Sequence, residues 1–152
     1  MTTPTPPPTP TPSTPGESPA STGTQLDPAV WRALGHGHTI DITTIGRRSG
    51  EPRRIEIVFH SFGGRLYISG MPSLHTRAWL HNMRANPNIT FHLTRIVQAD
   101  LPARVREITD PAERREVLEK VARVWNRAVE PMLEHSPLVE VVIDGYGVAD
   151  PG

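Results

Sequence analysis

Apolar residues at Ile40, Ile42 and Ile45, and again at Ile55, Ile57 and Phe59, alternate with polar neighbours on either side of a short polar stretch. That period of two predicts strands over roughly 38–45 and 53–60. Between them Gly46, Ser49, Gly50 and Pro52 supply turn chemistry, so DITTIGRRSGEPRRIEIVFH reads as a hairpin. Phe62, Gly63 and Gly64 form a second tight turn into a strand at about 65–70, RLYISG, completing a three-strand meander.

Helical spacing appears elsewhere. Asp27 and Pro28 suit the N-cap and first position of a short helix ending by Gly35 or Gly37. After a loop from Met71, the stretch 76–85 places Trp79, Leu80 and Met83 on one face and stops at Asn86-Pro87. Ile89, Phe91 and Leu93, then Ala99, Leu101, Ala103 and Val105, predict two further strands. Pro102 in the second of these points to an edge position. Asp110, Pro111 and Glu113 open a long helix over about 110–129, with Val117, Leu118, Val121, Trp125, Ala128 and Val129 as its apolar stripe and Pro131 closing it. A last strand, Leu138 to Ile143, is almost wholly apolar. Six strands and two or three helices without βαβ alternation predict an α+β fold on an antiparallel sheet, and closing that sheet into a small barrel removes its edges.

Composition refines this picture. The 152 residues allow one domain. Residues 1–27 hold eight of the 17 prolines and eight threonines, with only Met1, Ala20 and Leu26 apolar. Such a segment buries too little surface to offset chain entropy, so a disordered tail is expected before a folded region at 28–152. Lysine plus arginine and aspartate plus glutamate both number 16, so no global field favours nucleic acid or an anionic membrane. There is no cysteine, no basic-then-apolar leader pattern at the start and no apolar run of membrane length. A cytoplasmic protein without a transmembrane segment, monomeric or homodimeric, is the expectation.

Charge is concentrated at the hairpin. Arg47, Arg48, Arg53 and Arg54 against Glu51 leave +3 within residues 47–54. Arginine forks with exposed turn amides suit a phosphate or carboxylate, and a solvated charged turn fits the same residues. Trp79 and Asn82, three apart on one helix face after a loop holding His75 and Arg77, could flank a planar polar ring, or be a core tryptophan with a capping asparagine. Seven histidines include the pairs His36/His38 and His75/His81, but no cysteine or suitably spaced carboxylate accompanies them, so no metal site is assigned. No GxSxG elbow is present either.

Read in order, ITTIGRRSGEPRR, RLYISG and TRAWLHNMRANPNITFHL resemble the deazaflavin (coenzyme F420)-dependent nitroreductase family. The matching elements are a T-x-G-(R/K)-(R/K)-S-G-x-P-R turn and, about 25 residues on, R-x-W-x-x-N-x-x-x-x-P; the resemblance covers about 37–143. It implies a split β-barrel of the FMN-binding, pyridoxamine-phosphate-oxidase type. The implied chemistry is hydride transfer from reduced F420 to a quinone-, enone- or nitroaromatic-type acceptor. Carried onto this chain, it assigns Arg47, Arg48, Ser49 and Arg53 to the coenzyme's anionic tail. It sets Ile57 and Val58 along the ring, with Met71, Pro72, Ser73, His75 and Arg77 in the adjoining loop and Trp79 and Asn82 on the helix face. The family's hydride chemistry belongs to the cofactor, which fits the lack of a catalytic dyad. His75 and Tyr67 are the candidate proton donors. Where many relatives have proline this chain has Glu56, which strand alternation turns outward. FMN in place of F420, or a non-catalytic carrier of a hydrophobic ligand or of the coenzyme, are the alternatives on the same barrel.

Overall fold

In the computed structural model, which describes residues 26–146, the Asp27 carboxylate accepts a hydrogen bond from the Ala29 N–H at 2.8 Å. That cap opens α1 (Pro28–Leu34), which buries Val30, Ala33 and Leu34. The expected tail lies outside the described residues except for Leu26 and Asp27, and Leu26 packs against the main core.

The two alternating runs form β1 (Thr39–Ile45) and β2 (Pro52–Phe62), paired from Thr39↔Val58 to Ile45↔Pro52. β3 (Arg65–Ser69) pairs back on β2 through the Gly63-Gly64 turn. Then come α2 (Ala78–Ala85), β4 (Asn88–Leu93), β5 (Ala99–Glu107), α3 (Pro111–Trp125), α4 (Glu130–His135) and β6 (Leu138–Ile143). The sheet closes as β1-β2-β3-β6-β5-β4, antiparallel throughout. A six-stranded antiparallel barrel is therefore the fold, as the alternation predicts.

Closure corrects the edge expected at Pro102. On β5 the Val105 N–H donates to Pro87 O, so odd-numbered residues face β4 and Pro102 faces the β6 side. The β6 ladder begins only at Ala103↔Ile143, so the missing N–H falls where no partner strand stands.

Period-two burial fills the barrel. Ile40, Ile42, Phe59, Leu66, Ile68, Phe91, Val139 and Val141 point inward, with Phe59 and Phe91 edge to face at 5.2 Å. α1 and α2 add Leu34, Trp79, Leu80 and Met83 to the same cluster. Part of the outer face of β3 and β6 is buried too, because Val117, Leu118 and Val121 of α3 cover Tyr67 and Leu138.

The long helix differs from its expected span. It ends at Trp125, where Asn126 adopts φ 55° and donates its N–H back to Ala122 and Arg123 carbonyls. Ala128 is exposed, and Trp125 is only half-buried. Pro131 does not close α3; lacking an N–H, it sits in the first turn of α4, where that donor would be unpaired anyway. The far end of α4 is capped from α3, since the Arg114 guanidinium donates to the carbonyls of Met132, Leu133 and Ser136 at 2.8–3.2 Å.

Candidate functional site

The β1–β2 turn projects beyond its ladder and is shaped by glycine. Gly46 N–H donates to Glu51 O and Gly50 N–H to Gly46 O, each at 2.8 Å, with Gly50 at φ 72°. A Cβ on Gly46 would lie 2.6 Å from Ser49 Oγ, so only glycine lets that hydroxyl fold under the turn and accept from Glu51 N–H at 3.1 Å. The loop thereby holds Arg47, Arg48 and Ser49 in the open, with Arg53 at the start of β2.

α2 lies against this turn. Its Asn82 side chain accepts the Arg47 backbone N–H at 3.0 Å and donates to Thr44 Oγ1 at 3.1 Å. Turn and helix enclose a cleft of about 410 Å³ lined by Thr44, Gly46, Arg47, Arg48, Ser49, Arg53, Ile55, Ala78, Trp79 and Asn82. Among the described residues no carboxylate lines it. Among the described residues the arginine ion pairs engage Arg54, Arg65, Arg84, Arg95, Arg106 and Arg115, leaving the charges of Arg47, Arg48 and Arg53 uncompensated. α2 also begins without a side-chain cap, so the positive end of its dipole adds to the same potential beside Ala78. The cleft is thus cationic at its mouth and apolar along Ile55, Ala78 and Trp79.

Arg47, Arg48, Ser49, Arg53, Trp79 and Asn82, expected together, meet here. Other expected positions lie elsewhere. Ile57 turns inward against the core, and Val58 sits on the outer face in a separate groove with His36, His60, Phe62 and Val124. Met71 and Pro72 are exposed in the loop before α2. Ser73, His75 and Arg77 line a second cavity of about 390 Å³ behind α2, with Arg84, Glu107 and His135. Arg77 lies across Gly70 and donates to Met71 O at 2.8 Å, so it braces the loop rather than joining the arginine turn. Tyr67 is 6 % exposed beneath α3, where burial first and the nearby Glu140 carboxylate second raise its phenol pKa. Neither candidate proton donor lines the cleft. Thr44, Gly46, Ile55 and Ala78 also line the cleft without being assigned to it from the sequence; alternation from Arg53 is the available signal for Ile55. Glu56 is exposed, 4.0 Å from Arg95 and turned away from the cleft.

Residues 22–143 match F420H(2)-dependent quinone reductase, a span that includes the arginine turn, the Trp79/Asn82 helix and every strand of the barrel. The chain belongs to that family. It is accordingly an oxidoreductase of the F420-dependent class.

Solved structures similar to this member of the F420H(2)-dependent quinone reductase family bear out the barrel. An F420-H2 dependent reductase (FDR-A) superposes with TM-score 0.54 at 18 % identity, covering 78 % of this chain and 97 % of the other. A FAD-binding protein from Mesorhizobium loti gives 0.51 at 16 % identity over 81 % and 94 %. HutZ, the heme storage protein from Vibrio cholerae, gives 0.57 at 12 % identity over 82 % and 99 %. At these identities the likeness is one of fold, the split barrel of flavin-binding proteins. Among curated proteins there is no match. Among the described residues no helix is long and apolar enough to cross a membrane, and no group of three metal-ligating side chains occurs.

Proposed function

We propose that this chain reduces a quinone-type acceptor with reduced coenzyme F420 bound in the cleft between the arginine turn and α2. The observation that carries this reading is the pairing in one cleft of three arginines, without acidic partners among the described residues, with an Ile55/Ala78/Trp79 wall. That donor set fits a coenzyme with an anionic phosphodiester and carboxylate tail and a planar, largely apolar ring. When bound, the reduced coenzyme supplies the hydride.

The remaining work falls to side chains of this chain. Arg48 and Arg53 would hold the anionic tail, with Arg47 adding a third charge. Ser49 Oγ, which accepts from Glu51 N–H, keeps its own O–H free to donate to the same tail. Ile55, Ala78 and Trp79 would give the ring an apolar wall that excludes water. Converting a quinone to its hydroquinone adds one hydride and one proton. Among the described residues no His, Tyr, Asp or Glu lines the cleft, so on this reading solvent water is the proton source. A single FMN phosphate would leave part of this cationic set unused, which favours the longer anionic tail.

Titrating the protein with F420 and with FMN, then following coenzyme oxidation with a quinone, an enone and a nitroaromatic, tests the reading. Tighter binding of F420 that weakens with salt, and fastest turnover of the quinone, are expected. His75→Gln and Tyr67→Phe should leave the pH profile of that turnover unmoved. Equal or tighter FMN binding without salt dependence overturns the coenzyme assignment.

A further inference from the structure

We propose that Asn82 is a positioning residue that fixes the arginine turn at a set distance from the Trp79 wall; the inference rests on the reading that this turn grips the coenzyme's tail. The β1–β2 ladder ends at Ile45↔Pro52, and residues 46–51 extend past it. Within that segment the Gly46–Glu51, Gly50–Gly46 and Glu51–Ser49 hydrogen bonds close the turn on itself and attach it to nothing else. Among the described residues the hydrogen bond that joins it to the body of the protein is Arg47 N–H to Asn82 Oδ1 at 3.0 Å.

Asn82 is suited to that task. It is 5 % exposed, and its amide nitrogen is committed to Thr44 Oγ1, itself on a residue 1 % exposed. The amide is therefore fixed at one end by the barrel wall and presents its oxygen to the turn at the other. Trp79 lies three residues earlier on the same helix, so one rigid element carries both the ring wall and the anchor of the tail grip. Through Arg47 the anchor sets where the Arg47-Arg48-Ser49 segment begins. Without it the turn's cations must be ordered when an anion binds, which weakens affinity and leaves the reaction at a filled site unchanged.

Two measurements on the full chain test this. In the coenzyme-free protein, backbone amide exchange of Arg47 should accelerate about tenfold or more in Asn82→Ala. It should stay protected in Asn82→Asp, whose carboxylate still accepts from Arg47 while the Thr44 hydroxyl turns to donate. Barrel amides such as those of Ile42 and Ile68 should be unmoved in both. With F420, Asn82→Ala should raise the Kd about tenfold with the rate at saturation within about twofold of the parent. Unchanged Arg47 exchange in Asn82→Ala overturns the inference, as does a released Arg47 with parental Kd while Arg53→Ala weakens binding. If Arg53→Ala also binds like the parent, the function proposed for the cleft fails with it.

Discussion

Arg84 on α2 and Glu107 at the end of β5 form a two-bond ion pair, Nε to Oε1 at 2.8 Å and Nη2 to Oε2 at 2.7 Å. The pair grips α2 from the side opposite the cleft, while Asn82 holds the arginine turn from the near side. A helix of only eight residues, too short to persist alone, is thereby seated as the plug that shapes the site.

Hydrogen bonding from Arg84 holds the Glu107 carboxyl below the ordinary carboxylate range. Because the folded state lowers this pKa, the stabilisation is complete above the unfolded carboxylate's pKa and is lost as pH falls through the folded value. Glu107→Gln should cost about 0.5–1 kcal/mol at pH 7, allowing for the half-exposed guanidinium. Urea unfolding at pH 7 and again at about pH 3 checks it: the gap between variant and parent should narrow in acid. A gap of the same size at both values would show that the pair contributes nothing through its charge.

A second acid-sensitive group lies on β2. His60 is 3 % exposed, stacked on Phe62 and edge-on to Trp125, and its Nε2 has no hydrogen-bond partner. Burial lowers its pKa from 6.5 to about 4. The unfolded chain therefore binds the extra proton between these values, so this contribution to stability is whole above 6.5 and drains as pH falls toward 4. At about 1.4 kcal/mol per unit the loss reaches at most about 3 kcal/mol. His60→Leu should flatten the fall in unfolding free energy between pH 6.5 and 4. Parallel curves for variant and parent would mean that His60 is protonated within the fold or is equally shielded in the unfolded chain.

How much of this was legible beforehand depends on how local the signal is. The strands, the Asp27 and Asp110 caps and the arginine turn depend on neighbouring residues, and each appears where alternation or capping chemistry put it. α4 was missed because proline after a helix and proline opening one look alike in sequence; Asn126 in a left-handed conformation decided between them. For the site, the turn and the Trp79/Asn82 face were readable as motifs, but their meeting is tertiary. Ile55 lines the cleft instead of Ile57 because the cleft sits at the turn end of β2. Tyr67 lies outside the cleft because its part of β3 is covered on the outer face by α3, a packing that alternation alone does not reveal.

The same covering layer makes a contrast testable. Leu118 is fully buried between α3 and the sheet, whereas Trp125 at the helix end is half-buried. Leu118→Ala should cost about 2–5 kcal/mol through lost transfer energy and the cavity left behind. Trp125→Ala, despite removing more atoms, should cost less, about 1–3 kcal/mol, because part of its surface already meets water. Denaturant titration of both variants measures the order; a larger loss at Trp125 would place that ring deeper than the fold has it.

The arginine turn offers the sharpest test of the proposed coenzyme site. Arg48 and Arg53 are exposed, lack acidic partners among the described residues and line one cleft. Each well-formed charge-assisted bond to an anionic tail contributes about 1.5–3 kcal/mol. At 1.4 kcal/mol per decade, Arg48→Ala and Arg53→Ala should each raise the F420 Kd roughly tenfold to a hundredfold. The tail is remote from the reacting ring, so the rate at saturating coenzyme should change far less than the affinity. The salt dependence of binding should become shallower in both variants, since each removes one screened attraction. Lysine at either position should recover part of the loss, because it restores the charge without the fork. Calorimetric titration at two ionic strengths reads all three effects at once. Parental affinity in both alanine variants would make the turn ordinary charged surface and would move the coenzyme out of this cleft.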